Sequence, residues 1–331
     1  MSASYSVAVQ GSGVAASCAQ FLLRSAGVDV VAHPVDRARV PALMLSPATQ
    51  TLLADVFAQN HLLDGLWPIR RRIVAWGSSE PVSLAHQGVV VPEQELLRRL
   101  QCVPSGTSPK QPNWTLYTSR PPENSLVHSF GDRMASAAEI VLSDKADSEA
   151  CLMESLPSGW LFLLPVSHRT AWLLTAGASR ETLLAESRLV RPNVAEVIAA
   201  GGSFPSHPRI THPLAGDAWL ACGSAALAFD PLCGDGTGHA IREAILACAI
   251  VRASGDREDL LWEYRLRLWA GFRRHLELCG QFYSTGGSSD WWQSQAASLR
   301  QGLAWLSCQD APAQLGKFRL NGFNLDRVDA A

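Results

Sequence analysis

A strand, a glycine-rich turn, a helix and a second strand follow one another within the first 33 residues. Residues 5–10 alternate apolar side chains and include two β-branched valines, which is typical of a buried strand. Gly11-Ser-Gly-Val-Ala-Ala16 then leads into a helical segment that ends before Gly27, and residues 28–33 resume a strand. In such a unit the first glycine makes the tight turn, the second lets a phosphate approach the backbone, and the small third residue allows close helix–strand packing. The order predicts a βαβ dinucleotide-binding unit within an α/β fold.

A second glycine-rich turn lies two thirds of the way along the chain. A predicted strand at residues 218–222 is followed by Gly234, Gly236 and Gly238, and then by an apolar helix at residues 240–253. Alternating glycines let backbone N–H groups crowd against a ligand, and a helix N-terminus points its partial positive charge at the same place. The stretch predicts a second seat for a flat or anionic ligand.

Composition favours a soluble protein with a large core. The chain has 331 residues, of which 47% are hydrophobic, and its net charge of −2 gives no basic field of the kind that nucleic acid requires. The eight cysteines form no CxxC pair, so we interpret them as reduced, buried thiols. The N-terminus lacks a basic region, and no apolar run approaches the ~20 residues of a membrane span. These features predict a cytoplasmic protein without a nucleic-acid partner or a membrane span.

The middle of the chain predicts a second, mainly antiparallel sheet. Residues 70–77, 81–91 and 137–142 carry strand patterns, and residues 159–165 and 171–176 form a predicted hairpin that lines an apolar pocket. Helices are predicted elsewhere, at residues 46–59 with Ser46 as the cap, and at 93–100, 181–190, 193–202, 256–278 and 296–306. Residues 104–113 are a predicted loop.

Several motifs together resemble the FAD-dependent monooxygenases of the p-hydroxybenzoate hydroxylase fold. The resemblance extends to the branch of tryptophan halogenase-like proteins and of flavoproteins that help to make tryptophylquinone cofactors. It depends above all on the 11–16 turn and on residues 223–238. It also uses the following segments: Phe130-Gly-Asp-Arg133, Gly159-Trp-Leu-Phe-Leu-Leu-Pro165, Leu183-Leu-Ala-Glu-Ser187, Tyr283 and Trp291-Trp292. The halogenase segment Trp-x-Trp-x-Ile-Pro is missing, which argues against chlorination.

The resemblance implies one FAD held by both turns. It assigns the pyrophosphate to Gly11, Gly13 and Ala16, the ribityl chain to Gly223 and Ser224, and the isoalloxazine to Asp230, Pro231, Gly234, Gly236 and Gly238. The predicted cofactor-binding set is completed by Val14, His33, Arg39, Asp235 and Thr237.

Three acids that the family uses to hold the nucleotide are absent. His33 stands at the end of the second strand, where an acid would accept bonds from the ribose, and a neutral imidazole accepts only one such bond. Ser224 stands where the family has Asp, and no Asp-Gly pair occurs at residues 114–120. We therefore expect weakened FAD binding.

The resemblance also implies how the chain divides. We expect a Rossmann-like FAD-binding domain from residues 1–68, 93–125 and 207–331, and an inserted, mainly antiparallel substrate domain from residues 69–92 and 126–206. The implied function is an FAD-dependent oxidoreductase or monooxygenase acting on a small aromatic or on a tryptophan side chain of a partner protein. The alternative is a degenerate homologue that binds FAD weakly or not at all and acts as a non-catalytic partner.

Two side chains are candidates for proton transfer beside the ring, and each has an alternative role. Asp235 and His239 flank the loop at residues 230–238. Asp235 could instead cap the following helix, and His239 could pack in its first turn.

Overall fold

A computed structural model describes residues 5–77, 80–100, 112–309 and 317–328. Its helices, in chain order, are α1 (Val14–Ser25), α2 (Pro47–Phe57), α3 (Glu93–Arg99), α4 (Arg180–Glu186), α5 (Gly236–Arg252), α6 (Arg257–Thr285) and α7 (Asp290–Gln309).

The strands, in chain order, are β1 (Ser6–Gln10), β2 (Asp29–His33), β3 (Leu43–Leu45), β4 (Trp67–Ala75), β5 (Val82–Val91), β6 (Trp114–Tyr117), β7 (Leu126–Ser129), β8 (Met134–Leu142), β9 (Ala150–Leu156), β10 (Gly159–Pro165), β11 (Thr170–Gly177), β12 (Val194–Pro205), β13 (Arg209–His212), β14 (Ala215–Gly216), β15 (Trp219–Ala221), β16 (Leu227–Ala228), β17 (Phe318–Asn321) and β18 (Asn324–Arg327).

The dinucleotide-type sheet has the order β14-β15-β6-β1-β2. Its strands β15, β6, β1 and β2 run parallel, and only β14 at the edge is antiparallel. The two valines of β1, Val7 and Val9, are fully buried, because this strand lies inside the sheet and is covered on both faces. The carboxyl ends of the parallel strands lie along one edge, so the turns that follow them meet there.

The second sheet has the order β12-β8-β11-β10-β9-β4-β5-β3 and is antiparallel except where β4 meets β9. Strands β10 and β11 form the predicted hairpin, in register from Gly159 opposite Gly177 to Pro165 opposite Ala171. The predicted α/β fold with a large, mainly antiparallel sheet is confirmed. The predicted domain boundaries remain a prediction, and β3 and the start of β4 lie in this large sheet although both precede residue 69.

Secondary structure differs from the sequence prediction at a few elements. Residues 193–202 are not a helix but most of β12, which pairs with β8 through three register shifts. Helix α4 ends at Glu186, and the terminal hairpin β17–β18 was not predicted. Helix α2 is confirmed with Ser46 as its N-cap, whose hydroxyl accepts from the Thr49 N–H. The predicted loop at residues 104–113 lies outside the described residues except for its last two.

The core joins the two large sheets. One cluster of buried side chains includes Val9 of the parallel sheet, Met153 and Trp160 of the large sheet, and Tyr264 and Trp292 of the two C-terminal helices. Among the described helices, none has the length and apolar composition needed to cross a membrane.

Candidate functional site

Gly223, at the start of the second glycine-rich segment, packs against the first turn of α1. The 11–13 turn follows β1, and Gly223 follows β15, two strands away along the same sheet edge. A Cβ placed on Gly223 would lie 2.8 Å from the Cβ of Ala15 in the first turn of α1 and 3.1 Å from the Thr118 carbonyl oxygen. Gly223 and the 11–13 turn therefore lie together at one edge of the parallel sheet, while a shared site with residues 230–238 remains a prediction.

The first turn is held by short polar contacts. The Gly11 N–H donates to the His33 carbonyl at 2.9 Å, and the Ser12 N–H donates to Ser119 Oγ at 2.8 Å. Ser119 Oγ in turn donates to the Ser12 carbonyl at 2.8 Å. Gly11 has a φ of 133°, and a side chain there would overlap the hydroxyls of Thr118 and Ser119. The first glycine is thus required by its conformation and by its neighbours.

An ion pair covers the start of α1. The Arg37 guanidinium lies against Gly13 and pairs with Glu93, whose residue is 3% exposed. Arg37 Nε also donates to the Ser12 carbonyl at 3.4 Å, and the Val40 N–H donates to Glu93 Oε2 at 2.9 Å. No side chain caps α1, and Gly13 and Val14 are buried beneath this pair. A carboxylate therefore lies beside the helix N-terminus that would attract a pyrophosphate.

The two residues predicted to lie near the adenosine are exposed. His33 is the last residue of β2, opposite Gln10 of β1, and Arg39 lies in the segment that leads toward β3. Ala16, by contrast, is buried where α1 packs on the sheet. A contact between His33 or Arg39 and a cofactor remains a prediction.

Beyond β15, Ser224 is exposed, whereas the preceding Gly223 is buried and hydrogen-bonded to α5. Gly223 has a φ of 58°, and its N–H donates to Glu243 Oε2 at 2.7 Å. Burial raises the pKa of Glu243 to about 8, although the N–H bond opposes that rise. The other carboxyl oxygen, Oε1, has no hydrogen-bond partner among the residues that the structure describes. Sequence reasoning missed Glu243, and the signal was the single acid of the mainly apolar helix α5.

Asp230 points into the protein and anchors the second loop. Its residue is 1% exposed, it pairs with the buried Arg133, and its carboxylate accepts from the Tyr283 hydroxyl at 3.0 Å and from the Leu232 N–H at 2.9 Å. The Arg133 guanidinium also lies 4.2 Å from the centre of the Tyr283 ring. Pro231 begins the short 3-10 turn that this carboxylate caps. The role of Asp230 in the described structure is to fix the loop.

The glycines after Pro231 leave open space. Gly234 and Gly236 are exposed, Gly234 has a φ of 64°, and nothing lies within 4 Å of a Cβ placed on Gly236. Gly238 is buried against Asp235 and Thr49, and Thr237 between them is half-buried. The start of α5 is thus accessible where the start of α1 is covered.

The two proton-transfer candidates are both engaged in packing. Asp235 precedes α5 but makes no capping bond; instead it accepts from Thr49 Oγ1 at 2.6 Å and from Arg242 Nη1 at 2.9 Å. The alternative that its side chain caps the helix is therefore wrong. His239 stacks on Phe229 at 4.0 Å between ring centres, and burial lowers its pKa. Its interpretation as a packed residue of the first turn is confirmed.

A thiol cluster lies under the second loop and was not found from the sequence. Cys233 Sγ lies 3.1 Å from Cys279 Sγ, and Cys279 Sγ lies 3.3 Å from His275 Nε2. His275 and Cys279 are one turn apart on α6, but nothing in the pattern places Cys233 beside them. The interpretation of the cysteines as buried is corrected for Cys233, which is half-buried, and for Cys308, which is exposed, while Cys102 lies outside the described residues.

A surface cavity of about 410 Å³ lies between α6 and α7, and none of its lining residues belongs to either glycine turn. Its lining includes Gly280, Ala296 and Leu303. The predicted pocket beside the β10–β11 hairpin therefore stays a prediction.

Comparison with known proteins assigns the fold. No protein-family model matches the chain, and no curated protein matches its sequence. The structure of CmlS, a flavin-dependent halogenase, is similar with a TM-score of 0.74 at 15% identity, over 92% of this chain and 70% of that one.

Two further solved structures show the same similarity. QhpG, a peptidyl tryptophan dihydroxylase essential for tryptophylquinone cofactor biogenesis, gives a TM-score of 0.71 at 17% identity over 98% of this chain and 86% of that one. The 2,6-dihydroxypyridine-3-hydroxylase of Arthrobacter nicotinovorans gives 0.65 at 12% identity over 87% and 94%. The chain has the fold shared by flavin-dependent halogenases and aromatic hydroxylases, as the sequence motifs predicted.

Proposed function

We propose that this protein is an FAD-dependent oxidoreductase of the monooxygenase type that acts on an aromatic group. The observation that carries the proposal is the close packing of Gly223, which follows β15, against the first turn of α1 at the carboxyl edge of the parallel sheet. In open α/β sheets, dinucleotides bind outside this edge. The similarity to flavin-dependent halogenases and hydroxylases supports the same assignment.

The residues at this edge would divide the cofactor between them. Gly11, Gly13, Val14 and Ala16 would face the pyrophosphate, and Gly223 with Ser224 the ribityl chain. The segment from Asp230 to Gly238 would lie along the ring, with Pro231, Gly234, Asp235, Gly236 and Thr237 between them, and His33 and Arg39 would lie toward the adenosine. The bound flavin would supply the redox chemistry and the transfer of oxygen.

Fit differs between the two ends of this site. At the ring end the exposed glycines and the open start of α5 offer backbone N–H groups and a helix dipole to an anionic ring. At the pyrophosphate end the Arg37–Glu93 pair occupies the approach to Gly13, so Glu93 must move before two phosphates can reach α1. The residues fit FAD with one local obstruction, which is an ion pair that can exchange partners.

The chain's own side chains would position the reaction. The inward bonds of Asp230 hold the ring loop, and the packed His239 and Phe229 close the space behind it against water. The aromatic target is either a small molecule or a tryptophan side chain of a partner protein, and similarity to QhpG supports the second. Free thiols throughout the described chain favour a cytoplasmic location.

The alternative is a non-catalytic homologue that binds FAD weakly or not at all. The Arg37–Glu93 pair over Gly13, the exposed His33 without a carboxylate, and Ser224 in place of an acid favour it. Each of these features weakens a nucleotide contact while leaving the fold intact.

Titration of the purified full-length protein with FAD separates the two functions. Catalysis requires saturable binding, measured by quenching of flavin fluorescence and by the shifted flavin absorbance band. We expect Ser224→Asp to tighten binding about tenfold, because a charged acceptor makes a hydrogen bond roughly twice as strong as a neutral one. The exposed Ser288→Asp, in the α6–α7 connection, is the matched control and should leave affinity unchanged. No binding by either the wild type or Ser224→Asp at saturating FAD would leave only the alternative.

A further inference from the structure

Two cysteines from distant parts of the chain meet beneath the second glycine loop. Cys233 ends the short turn Pro231–Cys233, and the backbone then bends at Gly234 in the left-handed region. Cys279 lies in the C-terminal part of α6, and the two Sγ atoms are 3.1 Å apart. A disulfide needs the sulfurs at about 2.05 Å, so closure requires an approach of about 1 Å.

The two thiols differ in access. Cys233 is half-buried beside the exposed Gly234, whereas Cys279 is buried within α6. Burial raises the pKa of Cys279 well above its ordinary value. A small oxidant can therefore reach Cys233 from solvent. Cys279 is shielded from solvent and reacts with the oxidised sulfur of Cys233.

Histidine chemistry argues against a metal in this cluster. The ligating atoms of Cys233, His275 and Cys279 all lie within 4.8 Å of one another, which resembles a three-ligand set. His275 Nε2, however, accepts the Asp230 N–H at 2.9 Å, so its lone pair is engaged. A metal at Nε2 would leave that buried N–H without its acceptor, which is unfavourable. A neutral imidazole whose Nε2 accepts a hydrogen bond carries its proton on Nδ1. The protonated Nδ1 has no free lone pair, so it is not a metal ligand either.

We propose that Cys233 and Cys279 are a reversible thiol–disulfide site that fastens the second glycine loop to α6. Hydrogen peroxide is the oxidant. The Cys233 sulfur attacks one peroxide oxygen, the O–O bond breaks, and a sulfenic acid and one water form. The Cys279 sulfur then attacks the sulfenic sulfur, the S–S bond forms, and the Cys279 proton leaves with the hydroxyl as a second water. Two thiols are oxidised by two electrons, and a dithiol reductant reverses the step.

The bond would act on the part of the molecule that the proposed function uses for the flavin ring. It would link residue 233 to residue 279 while Asp230 is already held by Arg133 and Tyr283. The loop would then be fixed at both ends of its short turn. The proposal itself does not depend on FAD, because the thiols meet in the protein alone.

Peptide mapping of the peroxide-treated full chain tests the site. Trypsin cleaves after Arg274 and an Asp-specific protease cleaves before Asp230, Asp235 and Asp290, so Cys233 and Cys279 fall in the short peptides 230–234 and 275–289. We expect these two peptides joined, and free thiols in the denatured protein falling from eight to six. Dithiothreitol should restore all eight.

Matched variants identify the bond. Cys233→Ser and Cys279→Ser should each abolish the joined peptides, whereas the exposed Cys308→Ser should keep them. Oxidation of the wild type that leaves both peptides separate, or that links Cys233 to Cys308 of a second chain, overturns the proposal. Tightly bound zinc that protects both thiols from alkylation in the untreated protein overturns it in favour of a metal site.

Discussion

At the scale of single residues, the anion that lies at the start of α1 determines whether a pyrophosphate can bind there. An uncapped helix N-terminus attracts negative charge, and in this protein the nearest negative charge is the carboxylate of Glu93, held there by Arg37. A pyrophosphate and Glu93 would compete for the same guanidinium. The predicted weakness of FAD binding therefore has a cause beyond the missing acids.

Replacing Glu93 with glutamine should strengthen FAD binding. Glu93→Gln keeps the shape and an oxygen for the Val40 N–H, but it removes the charge that competes with the phosphates. We expect the dissociation constant for FAD to fall about tenfold, which corresponds to about 1.4 kcal/mol. Fluorescence titration measures it. Glu95→Gln, on the same helix and paired with Arg98 and Arg99, is the control and should not change affinity. Weaker binding by Glu93→Gln would show that Glu93 supports the site.

The buried Glu243 should make stability fall as pH rises. Its pKa is raised from 4.5 to about 8, so between these values the folded protein keeps a proton that the unfolded chain releases. The free energy of unfolding then decreases with rising pH across that window, by up to about 1.4 kcal/mol per unit from this group. Glu243→Gln removes the titration, so its stability relative to the wild type should be greater at pH 8 than at pH 5.

Urea denaturation across this pH range measures the effect. Glu277→Gln, on an exposed position of α6, is the control and should run parallel to the wild type. A wild type and a Glu243→Gln variant with identical pH dependence would show that the carboxyl group does not hold its proton in the folded state.

The candidate site was predictable from the sequence as far as its backbone is concerned. Backbone conformation and close neighbours require glycine at three positions, Gly11, Gly13 and Gly223. The local spacing of glycines in the sequence predicts such positions. The inward orientation of Asp230, the Arg37–Glu93 pair and the Cys233–Cys279 contact were not predictable. Each depends on side chains that are 46 or more residues apart in the chain. The spacing of residues along the sequence does not predict contacts between such distant side chains.

At the scale of elements, β12 is a segment in which strand pairing overrides the local preference for a helix. Alanine and glutamate favour a helix in residues 193–202, yet the segment pairs along the free edge of β8. Its register shifts are bulges of the kind that edge strands tolerate, and a side chain at Gly201 would press on the Ala137 carbonyl at 2.7 Å. Long-range backbone pairing overrides the local preference. The β10–β11 hairpin was predictable because its apolar strands and its polar turn agree with the same structure.

The contact between Gly223 and α1 should tolerate no side chain on Gly223. Gly223→Ala places a methyl group 2.8 Å from the Cβ of Ala15 at a φ of 58°. Overpacking and the left-handed conformation together should lower the free energy of unfolding by about 2–4 kcal/mol and weaken FAD binding. Thermal and urea denaturation measure the first effect. Gly202→Ala, with open space around it, is the control and should change stability little. Equal stability of the two variants would mean that the turns separate easily.

At the scale of the whole molecule, a buried polar network joins the large sheet to the loop that begins at Asp230 and to the two C-terminal helices. Arg133, directly before β8, pairs with Asp230 and donates to Gln295 of α7 at 2.6 Å. Tyr283 of α6 donates to Asp230 and accepts from Trp160 Nε1 of β10 at 3.1 Å. Removing one member of such a network leaves its buried partners unsatisfied. The loop at the proposed flavin ring is therefore positioned by the large sheet and the C-terminal helices together.

Unfolding should accordingly proceed as one event in spite of the two sheets. The hydrophobic core shared by the two sheets makes the parallel sheet depend on the large sheet, so far-UV circular dichroism and tryptophan fluorescence should report the same urea midpoint. Tyr283→Phe removes a donor to Asp230 and the acceptor of Trp160, and should lower the free energy of unfolding by about 1–3 kcal/mol in both signals together. Tyr117→Phe, half-buried in β6, is the matched control and should shift neither. Two separated transitions, of which Tyr283→Phe moves only one, would show that the halves fold independently and that the large sheet does not hold the ring loop.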